Sequence, residues 1–134
     1  MNINSINMEI DDISNDKEYN KFIDKLDQAF RLCEPYRIII DTAPLERQNI
    51  NMAYLYKLKN FIKKNKKNNN IKKNLKESIV KVYNDTSYKI LFTLFTVLTS
   101  PLAKVIVIYY NYDDINKSSA SRRIKKTKDY LPDN

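Results

Sequence analysis

The strongest constraint on this chain is an alternation of short apolar runs with helix-spaced stretches. RIIID at Arg37–Asp41, SIVKVYN at Ser78–Asn84 and AKVIVIYY at Ala103–Tyr110 are rich in β-branched residues and bounded by polar or proline-containing segments. Such runs read as strands, and RIII as one buried on both faces of a parallel sheet. From Lys17 to Cys33 the apolar positions Tyr19, Phe22, Ile23, Leu26, Ala29, Phe30 and Cys33 recur at helical spacing. Met52, Leu55, Leu58, Phe61 and Ile62 do the same from Asn51 to Lys64, and a third helix is predicted over Ser87–Thr99. Ile3–Ile13 alternates loosely and reads as an edge strand. The order βαβαβαβ predicts an α/β single domain over residues 1–112, a mainly parallel sheet with helices packed on it. KKNKKNNNIKKNLK (residues 63–76) reads as a frayed helix end and exposed loop. Residues 113–134 read as a basic, polar tail, either a final surface helix or disordered.

Two absences limit the chemistry. The 134 residues include no Gly, which removes every glycine-dependent phosphate loop, and no His, which removes the usual general base and the commonest zinc ligand. Cys33 is the only thiol, so no internal disulfide forms, and it reads as a small core residue. No metal site, cofactor or catalytic residue is predicted, and the chain is read as not an enzyme. No run approaches the roughly 18 apolar residues of a membrane span, and the polar, acidic start MNINSINMEIDD is unlike a secretory signal. The expectation is an intracellular protein, most simply cytoplasmic. Its net charge of +8 favours weak attraction to nucleic acid or anionic surfaces. The heavy use of Asn, Lys, Ile and Tyr without Gly points to an AT-rich genome, so part of that charge reflects composition.

Asp41 stands where the second strand meets a polar loop, a usual place for chemistry in α/β enzymes. A phosphoaspartate hydrolase needs a second acid two residues on, where Ala43 stands. Asp41 is therefore read as a strand-ending group that accepts backbone N–H bonds. Asp85, Thr86 and Ser87 are helix-capping candidates at the next strand-to-helix corner. The helix after them carries Ile90, Leu91, Phe92, Leu94, Phe95, Val97 and Leu98 around most of its circumference, more than one buried stripe requires. Two basic clusters stand out. Lys63, Lys64, Lys66 and Lys67 precede Lys72 and Lys73; Arg122, Arg123, Lys125 and Lys126 precede Lys128. Only Tyr130 lies near as an aromatic platform of the kind single-stranded nucleic acid uses.

With the elements in this order, the span Asn4–Asn111 resembles the STAS domain, the fold of the anti-sigma-factor antagonists. The likeness rests on FIDKLDQAF, a strand ending in IIIDT, the helix NMAYLYKLKNFIKK, the corner VYNDTS and the closing strand VIVIYY. It implies a non-catalytic module that docks on a protein partner or on itself. The implied contacts are Asn49 and Asn51 before the second helix, and Asp85, Tyr88, Phe92 and Phe95 in and before the third. The family's phosphorylated Ser or Thr has no counterpart in Gln48-Asn49-Ile50-Asn51-Met52, so no phosphosite carries over. The second half also resembles Sec14-like (CRAL-TRIO) lipid-binding domains, more weakly. The alternative expectation is a nucleic-acid-associated accessory protein that uses the basic clusters 63–73 and 122–128.

Overall fold

A computed structural model describes residues 3–83 and 103–132. The predicted third helix, with Asp85, Tyr88, Phe92 and Phe95, lies outside the described residues. Within them run β1 (Asn4–Glu9), α1 (Asp16–Phe30), β2 (Tyr36–Asp41), α2 (Met52–Lys64), α3 (Asn69–Asn74), β3 (Leu75–Val82), β4 (Lys104–Tyr110) and β5 (Ile124–Tyr130). The five strands form one mixed sheet in the order β1-β2-β3-β4-β5. β1 pairs β2, β2 pairs β3 and β3 pairs β4 in parallel; β5 closes antiparallel on β4. The result is an α/β single domain.

Local chemistry explains the helices. Asn15 caps α1 by accepting the Glu18 N–H, and Asp16 and Glu18 place negative charge on the positive end of the helix dipole. Phe22, Leu26, Ala29 and Phe30 turn inward, each large side chain worth roughly 1.5–3 kcal/mol of burial. Asn51 caps α2 through the Ala53 N–H, and Lys63 and Lys64 sit in its last turn, where cations complement the dipole.

The Asn-rich stretch read as exposed loop is instead ordered by its own amides. Asn68 accepts from the Asn70 and Ile71 N–H groups, and Asn74 Nδ2 donates to Asn70. Asn70 Nδ2 in turn donates to the carbonyls of Phe30 and Leu32, binding α3 to the end of α1. Ile71 is thereby drawn into the core. β3 consequently starts at Leu75, three residues before the predicted run.

Strand period sorts the sheet into two faces. Met8, Tyr36, Ile38, Ile40, Val80, Val82, Val105 and Val107 join the side chains of α1 and α2 in one core. Ile39, Ile79, Ile106 and Ile108 point the other way and are only partly buried, so these strands are not fully buried on both faces as RIII suggested. The strand order fits this, since α1 and α2, the crossovers from β1 to β2 and from β2 to β3, both contribute to the one core.

Two further expectations are corrected. Over residues 113–132 the tail is not a single surface helix: after two short 3-10 turns, Ile124–Tyr130 adds a strand to the sheet, which thus takes in residues on both sides of the 112/113 division. Cys33 is exposed rather than core, because α1 ends at Phe30, ahead of Pro35, and the turn carries the thiol outward. With no Gly in the chain, the turns use ordinary backbone; no described residue has a positive φ.

Candidate functional site: the cleft at the carboxyl edge of the sheet

A cleft of about 800 Å³ opens where β1, β2 and β3 end. One wall is the loop from Thr42 to Gln48, and the other is the connector from β4 to β5, which contributes Tyr112, Ile115, Asn116 and Arg122. Both walls are held by specific bonds. Thr42 Oγ1 donates to the Lys81 carbonyl at 2.7 Å. Ile13 N–H donates to the Asn49 carbonyl and Asn51 N–H to that of Ile13, which ties the loop to the segment before α1.

In the connector, Asp114 is fully buried and accepts from the Arg123 N–H and Nε at 3.0 and 2.9 Å; Lys117 Nζ lies 2.9 Å away. Those hydrogen bonds, Arg123 first and Lys117 next, hold its carboxyl well below the usual carboxylate range. A buried acid with three such donors is a staple for the connector.

The floor of the cleft is a four-residue cluster. Asp41 Oδ1 accepts the Ala43 N–H at 2.9 Å, the strand-ending bond expected of it. Its Oδ2 lies 3.4 Å from Arg122 Nη1, with side-chain exposures of 18% and 14%. Arg122 Nη1 also donates to the Tyr83 hydroxyl at 2.8 Å, and Nε donates to the Lys117 carbonyl. The Tyr83 ring lies under the guanidinium, 5.1 Å away, and stacks on Tyr110 with centroids 5.1 Å apart. Burial pushes the Tyr83 phenol up to about 12, against the opposing pull of Arg122, and burial also raises Tyr110. The phenols stay neutral near pH 7, and each charge in the floor has a partner.

The structure distributes the predicted contacts unevenly. Asn49 and Asn51 share the loop, but Asn49 Nδ2 donates to the Asp11 carbonyl and Asn51 caps α2, so both act within the fold. Lys63, Lys64, Lys66 and Lys67 lie in and after the last turn of α2, at the end of the sheet where β3 begins. Lys125 and Lys126 begin β5 at the opposite end, beside Tyr109 and Tyr110. The two basic clusters therefore do not share a surface. Arg122 and Arg123 are paired with Asp41 and Asp114. Sequence reading missed both ion pairs, since nothing local in Arg122-Arg123 marks partners 81 and 9 residues away. It also missed Tyr109, 4.6 Å from Lys126; Tyr130, the ring it did name, lies 5.1 Å from Lys128. Among the described residues, no helix is long and apolar enough to cross a membrane. No family model matches this chain, and no curated protein or solved structure matches it either.

Proposed function

We propose that this chain is a non-catalytic protein-interaction module of STAS-like type, which docks a protein partner in the carboxyl-edge cleft. One observation carries the reading. Tyr112, 56% exposed, stands on the rim of the cleft above a floor whose charges are already paired. An exposed aromatic beside a rigid, internally satisfied floor suits an anchoring contact, because interfaces concentrate energy in such rings. Asp41 supports the same reading, since both its oxygens serve the turn and the Arg122 pair.

The test is a photo-crosslinking residue placed at Tyr112, with a control at Lys21 on the outer face of α1, in cells that make the protein. A discrete protein adduct at 112 and none at 21 is expected. Equal labelling at both positions would refute the cleft as the docking site. Substrate turnover lost in Asp41→Asn with the fold retained would refute the non-catalytic reading.

A second reading rests on β5. Lys126 beside Tyr109 and Lys128 beside Tyr130 combine cations with aromatic rings, as single-strand binders do. On this reading, affinity for a single-stranded oligonucleotide falls steeply with salt and drops in Lys126→Gln. Affinity that is flat in salt and unchanged in the variant would eliminate it.

A further inference from the structure

The sheet face opposite α1 and α2 carries a charge pattern that the cleft does not use. Arg37, Glu77 and Lys104 stand side by side in register on β2, β3 and β4. Arg37 Nε lies 3.3 Å from Glu77 Oε1, and Lys104 Nζ lies 3.5 Å from Asp129 Oδ2 on β5. From β2 to β4 the row reads plus, minus, plus, and Asp129 stands level with Ile106, one same-face step along the strand from that row. Beside them Ile39, Ile79 and Ile106 form a second row, also in register. These isoleucines are partly buried, yet among the described residues none belongs to the core or packs against it. The connector occupies the carboxyl end of this face, through Arg122 on Asp41 and Ser119 near Ile39 and Lys81.

We propose that this face binds a second copy of the chain, across a two-fold axis that lies in the interface and runs along the strands between β3 and β4. That rotation lays β2 on the second copy's β5, and β3 on its β4. Glu77 then meets the partner subunit's Lys104 and Ile79 meets the partner subunit's Ile106, while Arg37 and the partner subunit's Asp129 lie on facing strands one same-face step apart. Glu77 and Lys104 thus gain an opposite neighbour at both symmetric positions, because a two-fold interface is self-complementary. An axis across the strands would instead set Arg37 against the partner subunit's Arg37, and like charges so placed cost several kcal/mol. A uniformly acidic or basic partner would satisfy only half of the row, so the pattern fits another copy. The face measures roughly 20 by 20 Å from strand spacing and rise. At about 800 Å² over both copies it lies below the size of stable specific interfaces, so the dimer is weak and dissociates on dilution. This inference is independent of the cleft.

The test is sedimentation equilibrium of the whole chain, run into the high micromolar range, on wild type, Glu77→Lys and Lys104→Glu. Each variant opposes like charges in its own dimer and is expected to weaken association at least about tenfold. Mixed in equal amounts, the two variants restore opposite charges at both positions, and the mixture is expected to dimerise like wild type. Thermal melts check that both variants fold. A wild type that stays monomeric throughout, or a mixture no heavier than its separate components, would overturn the proposal. Should a variant fail to fold, wild-type protein mixed from isotope-labelled and unlabelled chains is treated with a carbodiimide. Amides between Glu77 of one chain and Lys104 of the other are then expected, and amides confined to single chains overturn the proposal.

Discussion

Replacing Arg122 by Met tests whether the connector is held to the sheet by one side chain. Methionine keeps much of the apolar stem over the Tyr83 ring but removes three contacts: Asp41 Oδ2 at 3.4 Å, the Tyr83 hydroxyl at 2.8 Å and the Lys117 carbonyl at 3.1 Å. Losing one partner of a fully buried pair costs about 3–5 kcal/mol, and exposed pairs are worth about 0–1. With 14% and 18% exposure and a long Asp41 contact, this pair falls between those limits. About 2 kcal/mol is expected, once the hydrogen bond to Tyr83 is included. For a domain of this size that lowers Tm by about 8 °C. Thermal melts at neutral pH measure it, and Asp41→Asn with the double variant completes a cycle whose coupling should exceed about 0.5 kcal/mol. Arg122 also lowers the Tyr83 phenol, so the variant should titrate that tyrosine above its present value of about 12. A Tm within about 2 °C of wild type, or strict additivity with Asp41→Asn, would refute the clamp.

The remaining expectations concern pH and the last strand. Tyr36 and Tyr83 are each raised from 10.0 to about 12, mainly by burial. Their contribution is complete below pH 10 and lost as pH rises to about 12, so alkaline melts should show Tm falling across that window, and a flat profile would contradict it. Asp114 has the opposite sign: its depressed carboxyl stabilises the fold above the usual value of 3.8 and loses that contribution as pH falls further. Asp114→Asn should therefore flatten the acid limb of Tm against pH, and an unchanged acid limb would remove its role. Deleting residues 117–134 removes β5 with Arg122 and Arg123 and turns VIVIYY of β4 into an open edge. Lower Tm and aggregation are expected; a monodisperse product with wild-type Tm would show that the strand is dispensable.

Much of this fold was legible because its signals are local. The helical spacing of Phe22, Leu26, Ala29 and Phe30 and the runs RIII and VIVIYY lie within single segments, and each became the element its period indicates. In two places where sequence reading erred, a partner distant in the chain decided the outcome. KKNKKNNNIKKNLK has the composition of a solvated loop, yet Asn70 finds the Phe30 and Leu32 carbonyls and turns part of it into α3. IKKTKDY also lacks the apolar alternation of a strand, because an edge strand with both faces largely exposed needs none. Its place is set by β4 and by the two arginines before it.

The site follows the same division. Asp41 was readable as a strand end, because its bond to the Ala43 N–H spans two residues. Its other oxygen was not, because Arg122 reaches it from a connector that composition alone assigned to solvent. That pairing changes what the charge of +8 means. Arg122 and Arg123, which looked like part of a basic patch, are spent on fastening a loop, and Lys63 and Lys64 complement a helix dipole. A patch counted from sequence therefore overstates the cations that a polyanion would meet. Lys126 and Lys128 of β5 lie beside rings instead. On the nucleic-acid reading, affinity is expected to rest on that strand, and substituting Lys63 or Lys64 should leave it nearly intact while weakening α2.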